Sequence, residues 1–333
     1  MEKIERIKSI LNGDTPDRPA CGFWTHFPGI DQDARALSQA SYALYKRLDL
    51  DFIKTMPNGM FSIQDWGCTC DFSQIARGGV ARVTHAAVQT RGDWPRLAEL
   101  DLHQGALGRE LQALQSLLSL VNKEAPVIAT VFSPITTAYK LSQGRVFRHL
   151  RTSPEKVAHG LEVIAETTSR FVRKAVEAGC AGIFLATQMC TAKMMTRQDY
   201  AAWAKPYDLK VLSAARQQTW FNVLHVHGED LWFDQVVDYP VHGFSWHIWE
   251  TPPAADHFLD RTEDKVIVGG LQRTQITAGD LDAVAADVRK MLHLTGNRRL
   301  ILAPGCTIRH PCNLDVLERV VADIRGAVKG DCR

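Results

Sequence analysis

Apolar residues recur along the chain as short runs, separated by longer stretches in which they fall at helical spacing. Short apolar runs bounded by turn-forming or polar residues are typical of buried β-strands. Eight such runs occur, at residues 20–24, 52–57, 127–132, 182–186, 221–226, 243–248, 266–271 and 300–303. The clearest helical stretch, 156–178, stops at Gly179, and two others occupy 280–294 and 313–328. Strands alternating with helices predict a parallel α/β sheet, and eight of them predict a single (β/α)8 TIM barrel over residues 1–333.

One connection is much longer than the others. Residues 58–126 separate the second and third predicted strands and contain a predicted hairpin, 80–83 with 87–90, and a helix near 107–121. A connection of this length is normally an elaborated loop, and this one leaves a strand at the catalytic end of the barrel. We expect residues 59–90 to wall one side of the pocket and the helical half to pack outside the barrel. A contact in a dimer is the alternative.

Composition excludes several classes of protein. Hydrophobic residues make up 45% and charged residues 23%, as in ordinary globular proteins. A net charge of +2 does not indicate the strongly basic surface that binds nucleic acid or an anionic membrane. No apolar run is long enough to span a bilayer. The N-terminus reads as a charged amphipathic helix rather than a signal peptide. The eight cysteines are scattered, mostly in or beside apolar runs, which suits free thiols. We therefore expect a cytoplasmic protein.

A His-x-His pair ends the fifth predicted strand. Because side chains two residues apart in a strand point to the same face, His225 and His227 look in one direction, just before Gly228. Two such imidazoles suit one metal ion. With 12 histidines in the chain, a chance pair is the competing interpretation.

The end of the eighth predicted strand supplies a third candidate ligand. Pro304 and Gly305 break that strand and free the backbone to turn Cys306 towards the mouth of the barrel, where active sites of this fold lie. Together with His225 and His227 it would form a three-ligand site with an open fourth position, as in catalytic zinc. Nitrogen and sulfur donors also select zinc over magnesium or calcium. The alternative for Cys306 is a buried, inert thiol.

Other side chains at the strand ends are candidates for substrate contacts. His247 is a candidate proton donor or substrate contact, or else an ordinary hydrogen-bonded histidine under the loop after strand six. Cys68 and Cys70 lack the further pair of ligands that a structural zinc needs, so ordinary thiols are favoured. No arginine stands at the predicted strand ends. Residues that we expect to bind the substrate are Trp24, His26, Asn58, Gln188 and Trp246.

Five segments resemble the uroporphyrinogen decarboxylase superfamily over nearly the whole chain. They are RIKSILNGDTPDRPA, SPITTAYKL, SPEKVAHGLEVIAETTSRFVRKAVEAGCAGIFLA, HVHG and LAPGCTI. One branch of that superfamily decarboxylates tetrapyrrole acetates without a cofactor. The other contains zinc-dependent methyltransferases that move a methyl group between a corrinoid protein and a thiol such as coenzyme M. The resemblance implies the barrel fold and one of these two activities.

The motifs are closer to the methyltransferase branch. His225 matches the family histidine, His227 stands where that branch has its first cysteine, and Cys306 matches its last cysteine. An imidazole in place of a thiolate leaves a bound metal more positive and a stronger Lewis acid. The decarboxylase branch fits less well, because FWTHFPGID replaces its arginine-rich motif and Cys306 stands where that branch carries a histidine. The acidic residue that both branches often show after strand four is also missing, since FLATQMC has none.

The resemblance therefore implies a zinc-dependent methyltransferase. Its donor would be a methylated corrinoid, free or carried by a partner protein, and its acceptor a small molecule such as a thiol. The superfamily's dimers suggest a homodimer. The alternatives are a cofactor-independent decarboxylase or lyase and a non-catalytic protein that binds a corrinoid or a tetrapyrrole.

Overall fold

The computed structural model describes residues 1–216 and 218–327, and eight of the ten strands in these ranges follow the eight predicted apolar runs. In chain order they are β1 (Ala20–Cys21), β2 (Ile53–Lys54), β3 (Thr69–Asp71), β4 (Arg82–His85), β5 (Val127–Phe132), β6 (Gly182–Thr187), β7 (Val223–Val226), β8 (Gly243–Ser245), β9 (Val266–Leu271) and β10 (Leu300–Pro304). Eight of them form one parallel sheet in the order β1-β10-β9-β8-β7-β6-β5-β2. The predicted (β/α)8 barrel is confirmed.

Helices cover the outside of this sheet. They are α1 (Lys3–Leu11), α2 (Ala34–Leu48), α3 (Phe61–Gln64), α4 (Gly105–Val121), α5 (Pro134–Leu141), α6 (Val146–Thr152), α7 (Pro154–Glu177), α8 (Arg197–Trp203), α9 (Lys205–Ala215), α10 (Ala255–Arg261), α11 (Arg273–Ala278), α12 (Leu281–Thr295) and α13 (Leu314–Gly326). The three clearest predicted helices correspond to α7, α12 and α13, although residue 328 of the last prediction lies outside the described residues. Within the described ranges, no helix combines the length and apolarity needed to cross a membrane.

A buried carboxylate joins the two ends of the sheet. The backbone N–H of Asp51, just before β2, donates to the carbonyl of Cys21 in β1 over 3.0 Å. The Asp51 carboxylate in turn accepts from the Cys21 N–H (2.9 Å), from Arg6 (2.8 Å) and from both terminal nitrogens of Arg18 (2.9 Å each). Asp51 is fully buried. This group of charges closes the barrel and attaches α1, which carries Arg6, to its N-terminal end.

Apolar side chains fill the interior of the barrel at that end. Ile7 and Ile10 of α1 are fully buried in one cluster with residues of the inward-facing strand positions. Phe52 and Phe221 meet edge to face in the same cluster, with ring centroids 5.2 Å apart, and the cluster continues towards the carboxyl ends of the strands through Trp24 and Phe184, whose centroids are 5.6 Å apart. Such edge-to-face contacts are favourable geometries for buried rings. The open space in the barrel therefore lies at the carboxyl end of the strands.

The predicted hairpin in the long connection is wrong in its pairing. β4 does not pair with residues 87–90 but with β3, antiparallel, placing Thr69 opposite His85. A 3₁₀ turn over Ile75–Arg77 ends at Gly78, whose φ of +79° suits glycine and turns the chain back. Residues after β4 run instead to α5, where the Val88 N–H donates to the Leu141 carbonyl.

The helical half of the connection packs outside the barrel, as expected. The predicted helix corresponds to α4, which packs against α2. The two carboxylate oxygens of Asp65 accept from the backbone N–H groups of Ala106 (2.7 Å) and Leu107 (2.8 Å) at its first turn. A negative charge at this position also complements the helix dipole. Asp65 thereby ties the start of the connection to its helical half.

We expect Asp51→Ala to destabilise the barrel by about 3 kcal/mol, because it leaves two arginines and a backbone N–H without their buried acceptor. Denaturant unfolding of the full chain measures the change. Asp315→Ala is the matched control, since Asp315 pairs with Arg47 on the surface and is 82% exposed. An Asp51→Ala protein as stable as the control variant would contradict the role given to this carboxylate.

Candidate metal centre

A cavity of about 410 Å³ opens at the carboxyl ends of the barrel strands. The ends of β1, β2, β5, β6, β7 and β10 contribute to its wall. The opposite side comes from the long connection, as expected, through Gly59, Met60, Ile75, Gly79, Val80 and Ala81. The volume falls within the range of small-molecule sites. The barrel strands thus form one wall of the cavity, and residues 59–90 form the other.

His225, His227 and Cys306 meet in this cavity. One potential ligand atom from each lies within 4.8 Å of the other two. His225 is part of β7, opposite Ser245 of β8, and the His227 N–H donates to the carbonyl of Thr187 at the end of β6. Cys306 reaches the same point from β10, two strands away from β8 in the sheet order. The curvature of the closed sheet brings these strand ends together.

Gly305 allows the close approach of Cys306 to β8. A Cβ atom at this position would lie 3.2 Å from the Trp246 carbonyl oxygen and 3.4 Å from the His247 Cα. The Gly305 N–H donates to the Leu271 carbonyl over 2.9 Å, which fixes the turn after β10. A larger residue would push the Cys306 segment away from the histidines.

The ring of His225 is held in one orientation. Its Nδ1 and the Ser245 hydroxyl oxygen are 3.2 Å apart and share a hydrogen bond. Its ring stacks on Phe184 with a centroid distance of 5.4 Å and an interplanar angle of 23°. With Nδ1 engaged, Nε2 is the nitrogen left for a metal, and a partner on the other ring nitrogen is the usual arrangement for a metal-binding histidine.

Three imidazoles stabilise the Cys306 thiolate. Burial alone would raise the pKa of the Cys306 thiol, but hydrogen bonds with His225, His227 and His247 outweigh it and hold the pKa well below its usual value. The Cys306 Sγ lies 3.6 Å from the His227 Nδ1. Burial lowers the pKa of His225, which favours the neutral imidazole. A thiolate and a neutral imidazole are the protonation states in which these residues bind metals.

His247 lies beside this group without joining it. Its ring centroid is 5.5 Å from that of His227, and its Nδ1 is 3.3 Å from the Glu250 carboxylate. Burial lowers the pKa of His247, but contact with Cys306 and the nearby Glu250 charge more than compensate and raise it. The structure therefore places His247 within reach of the site as a group able to hold a proton.

Three of the five residues predicted to bind the substrate line the cavity, namely Trp24, His26 and Gln188. Burial, followed by the Lys54 charge, lowers the pKa of His26 to about 4, so its imidazole is neutral near pH 7. These three side chains come from the ends of β1 and β6, as their position in the sequence indicated.

The other two predicted substrate residues lie elsewhere. Asn58 is fully buried, and its side-chain oxygen accepts from the Met60 N–H (2.9 Å), so it stabilises the turn after β2. Trp246 is fully buried against Phe258 and donates to the Pro253 carbonyl over 3.0 Å. Because Ser245 points into the barrel, its neighbour Trp246 points outwards to the helices. Neither is among the residues that line the cavity.

Basic side chains in the cavity are the feature that the sequence reasoning missed. Lys54 from the end of β2, Lys140 from α5, Arg273 from α11 and Arg309 from the segment after β10 all line it. Within the described part of the chain, no aspartate or glutamate does so. Lys54 could have been found from the sequence, because a charged residue inside an apolar run that forms a buried strand needs a polar environment such as a cavity. The other three lie on segments whose convergence no local pattern encodes.

Cys68 and Cys70 belong to no metal-binding group among the described residues. The Cys68 sulfur accepts a hydrogen bond from the Ala87 N–H over 3.3 Å, and burial raises the pKa of both thiols. Both lie in the region of the β3–β4 hairpin, where burial favours the protonated thiol.

Fold and site together define a (β/α)8 barrel with a candidate metal centre at its C-terminal mouth. The chain matches the model of the uroporphyrinogen decarboxylase (URO-D) family over residues 4–326, and it belongs to that family. Two relatives are the methylcobamide:CoM methyltransferases MtbA of Methanosarcina acetivorans and Methanosarcina mazei. The first is 25% identical over 223 residues, 66% of this chain and 64% of the relative. The second is 25% identical over 231 residues, 68% of this chain and 67% of the relative.

Solved structures share the fold. A methyltransferase from Methanosarcina mazei superposes with a TM-score of 0.84 at 17% identity, covering 98% of this chain and 99% of its own. A putative vitamin-B12 independent methionine synthase from Listeria monocytogenes gives a TM-score of 0.58 at 13% identity, with 95% and 97% covered. The sequence relatives are methyltransferases, the branch to which the motifs pointed.

In protein freed of metal by a chelator, we expect Cys306 to react with iodoacetamide at pH values near 6, where an ordinary thiol is almost fully protonated. Because the pKa of Cys306 is lowered, its thiolate persists until the pH falls below that lowered pKa. Cys306 therefore stays reactive at pH values where ordinary thiols do not. Mass spectrometry of the labelled peptide measures the rate against pH. Cys70, whose pKa burial raises to about 11, is the internal control. If the labelling rate of Cys306 depends on pH as that of an ordinary thiol does, the inferred stabilisation of its thiolate is contradicted.

Proposed function

We propose that this protein is a zinc-dependent methyltransferase that moves a methyl group between a methylated corrinoid, or another methyl donor, and a metal-activated acceptor such as a thiol. The observation that carries the proposal is the meeting of His225, His227 and Cys306 within 4.8 Å at the mouth of the barrel. Membership of the URO-D family and the two methylcobamide:CoM methyltransferase relatives support the reaction type.

The donor set fits zinc. Ligand atoms of a tetrahedral site with two imidazoles and one thiolate stand about 3.5 Å apart, so a spread within 4.8 Å needs only small side-chain rotations to bind the ion. His225 already has Ser245 to orient it. Bound by these three residues, zinc would act as a Lewis acid with an open position that lowers the pKa of a coordinated thiol.

The other side chains position the acceptor and take its proton. His247 would accept that proton, and the Glu250 carboxylate, 3.3 Å from its Nδ1, would stabilise the imidazolium that forms. Trp24, His26 and Gln188 offer the acceptor one apolar and two polar contacts along the cavity wall. A small molecule held between them and His225 has its reacting atom near the candidate metal centre.

Residues 59–90 supply the wall that limits the access of water. Met60, Ile75 and Val80 present apolar side chains to the cavity opposite the barrel strands. Exclusion of water protects a reactive methyl donor and strengthens the electrostatic interactions inside the site. A methylated corrinoid, free or on a partner protein, would approach over this mouth. Contact between two copies of the chain remains the alternative role for the same segment.

A cofactor-independent decarboxylase is the second candidate, and the four basic side chains in the cavity favour it. Such an enzyme binds polycarboxylates and needs cations rather than a metal. The cluster of His225, His227 and Cys306 has no evident role in that chemistry. Metal content therefore separates the two candidates, and it also separates the first from a non-catalytic corrinoid- or tetrapyrrole-binding protein.

Protein purified without chelator is expected to contain about one zinc per chain, since two imidazoles and a thiolate match the ligands of catalytic zinc. Plasma mass spectrometry with protein quantified by amino-acid analysis measures it. A preparation free of every transition metal, and unable to take up zinc by dialysis, would remove the basis of the methyltransferase proposal.

Cys306→Ser and His225→Ala are expected to lose metal and methyl transfer while the barrel stays folded, because sites at the C-terminal face are separable from barrel packing. Metal content, circular dichroism and transfer from methylcobalamin to a thiol are the measurements. Cys70→Ser and the exposed His159→Ala serve as matched controls and should keep the metal. Unfolding of a ligand variant that still binds zinc would show these residues to be structural.

A further inference from the structure

The two histidines of the candidate metal centre are held in different ways. His225 has the Ser245 hydroxyl on its Nδ1 and the Phe184 ring against its face. Within the described ranges, the hydrogen bonds of the His227 ring are confined to the Cys306 sulfur, which is itself a candidate ligand. A metal-binding histidine usually has a further group that orients it. The direction of the His227 side chain must therefore come largely from the backbone that carries it.

That backbone is joined to the loop after β6. Segment 227–232, which follows β7, runs antiparallel to segment 187–192, and Thr191 lies opposite Leu231. Backbone N–H groups join the two segments by donating across to carbonyl oxygens, from His227 to Thr187 (2.9 Å), from Ala192 to Asp230 (3.0 Å) and from Trp232 to Cys190 (3.0 Å). The position of His227 thus depends on the segment that begins at Thr187.

A buried carboxylate and two tyrosines support that segment. The carboxylate belongs to Asp208 of α9, and its Oδ2 accepts from the hydroxyls of Tyr200 (2.9 Å) and Tyr239 (3.1 Å). All three residues are fully buried. The Tyr200 hydroxyl also lies 3.5 Å from the Thr187 Oγ1 and within hydrogen-bond contact of the Cys190 thiol. Tyr200 therefore contacts the two residues whose carbonyls hold segment 227–232.

Packing alone does not explain a charge in this place. Arginines balance the buried charge of Asp51, whereas in the part of the chain that the structure describes no cation pairs with Asp208. Its Oδ1 is buried and has no hydrogen-bond donor among the described residues. Burial raises the pKa of this carboxyl to about 7. A buried carboxylate without a cation destabilises a fold, so its two tyrosine contacts point to a different role.

We propose that Asp208 is the positioning residue of His227, which it holds towards the candidate metal centre through Tyr200 and the end of β6. Its carboxylate keeps the Tyr200 hydroxyl against Thr187, and the Thr187 carbonyl holds the His227 N–H. His225 does not depend on this route, because Ser245 of β8 orients it. The effect on metal binding rests on the proposed function, whereas the support of segment 227–232 does not.

Amide hydrogen exchange of the metal-free chain tests the support of His227 directly. At pH 8 the charged carboxylate predominates, and we expect Asp208→Asn to speed the exchange of the His227 and Trp232 amides by about tenfold. The reason is that an amide oxygen lacks the charge that strengthens both tyrosine hydrogen bonds. Mass spectrometry of fragments that cover 187–192 and 227–232 measures the rates.

Glu110→Gln is the matched control for this measurement. Glu110 of α4 is also buried, and burial raises the pKa of its carboxyl to about 7 as well. The control variant removes a comparable buried acid outside the barrel and should leave the exchange of both segments unchanged. Exchange that Asp208→Asn does not alter, or that the two variants speed equally, would overturn the proposal.

Cobalt(II) titration of the full chain at pH 8 shows whether this support reaches the metal. We expect Asp208→Asn to weaken cobalt(II) binding by about 10- to 100-fold, the usual effect of losing a group that orients a ligand. The visible absorption bands of bound cobalt(II) should also weaken, because water replaces an imidazole. Glu110→Gln should change neither quantity, even if denaturant unfolding shows the same loss of stability as for Asp208→Asn.

A double variant tests the route through His227. Ser245→Ala removes the partner of His225, so its effect on affinity should be independent of Asp208→Asn, and the two losses should multiply in the double variant. A double variant that binds cobalt(II) no more weakly than the weaker single variant would place both residues on one histidine and reject the route.

The two kinds of measurement separate this inference from the proposed function. If the chain binds neither zinc nor cobalt(II) while Asp208→Asn still speeds exchange at 227–232, the support of His227 stands and the zinc methyltransferase is rejected. If the chain binds metal while Asp208→Asn changes neither exchange nor affinity, the methyltransferase stands and the positioning role is rejected. Faster exchange with unchanged metal affinity and absorption would show that Asp208 supports the loop without positioning the ligand.

Discussion

The buried carboxylate of Asp51 is the interaction on which the rest of the structure depends. It joins the first strand of the barrel to the second and binds arginines from α1 and from the segment before β1. A parallel sheet of eight strands has two edges unless it closes, and closure fixes how the strand ends face one another. The candidate metal centre exists only because β7 and β10, which are not neighbours in the sheet, end at the same mouth.

Electrostatics divides this mouth into two parts. At one, three imidazoles surround the Cys306 thiol and hold its pKa low, which prepares a ligand set for a soft metal. At the other, the basic side chains of Lys54 and Arg273 line the cavity, and burial lowers the pKa of Lys54 to about 7. The same cations would suit a polycarboxylate, so the metal is the feature that distinguishes the two branches of the family for this chain.

Much of the fold was predictable because its signals are local. Apolar runs placed the eight strands, and helical spacing placed α7, α12 and α13 within a few residues of their bounds. Strand periodicity also put His225 and His227 on one face, and the break at Gly305 indicated the turn of Cys306. The same reasoning failed for Trp246, because one step along a strand moves a side chain from the interior to the helical layer. The hairpin failed because its turn lies before β4, at Gly78, and not after it.

By itself the sequence determined the type and order of the elements, the residue types at each strand end and the three candidate ligands. Those properties follow from backbone periodicity and turn chemistry, which act over a few residues. Only the tertiary structure decided that Lys54, Lys140, Arg273 and Arg309 share one cavity, and that Asn58 serves a turn. The four cations come from a strand, two helices and a loop that are far apart in the chain. Closure of the barrel brings them together, and closure is a property of the whole sheet that no local segment encodes.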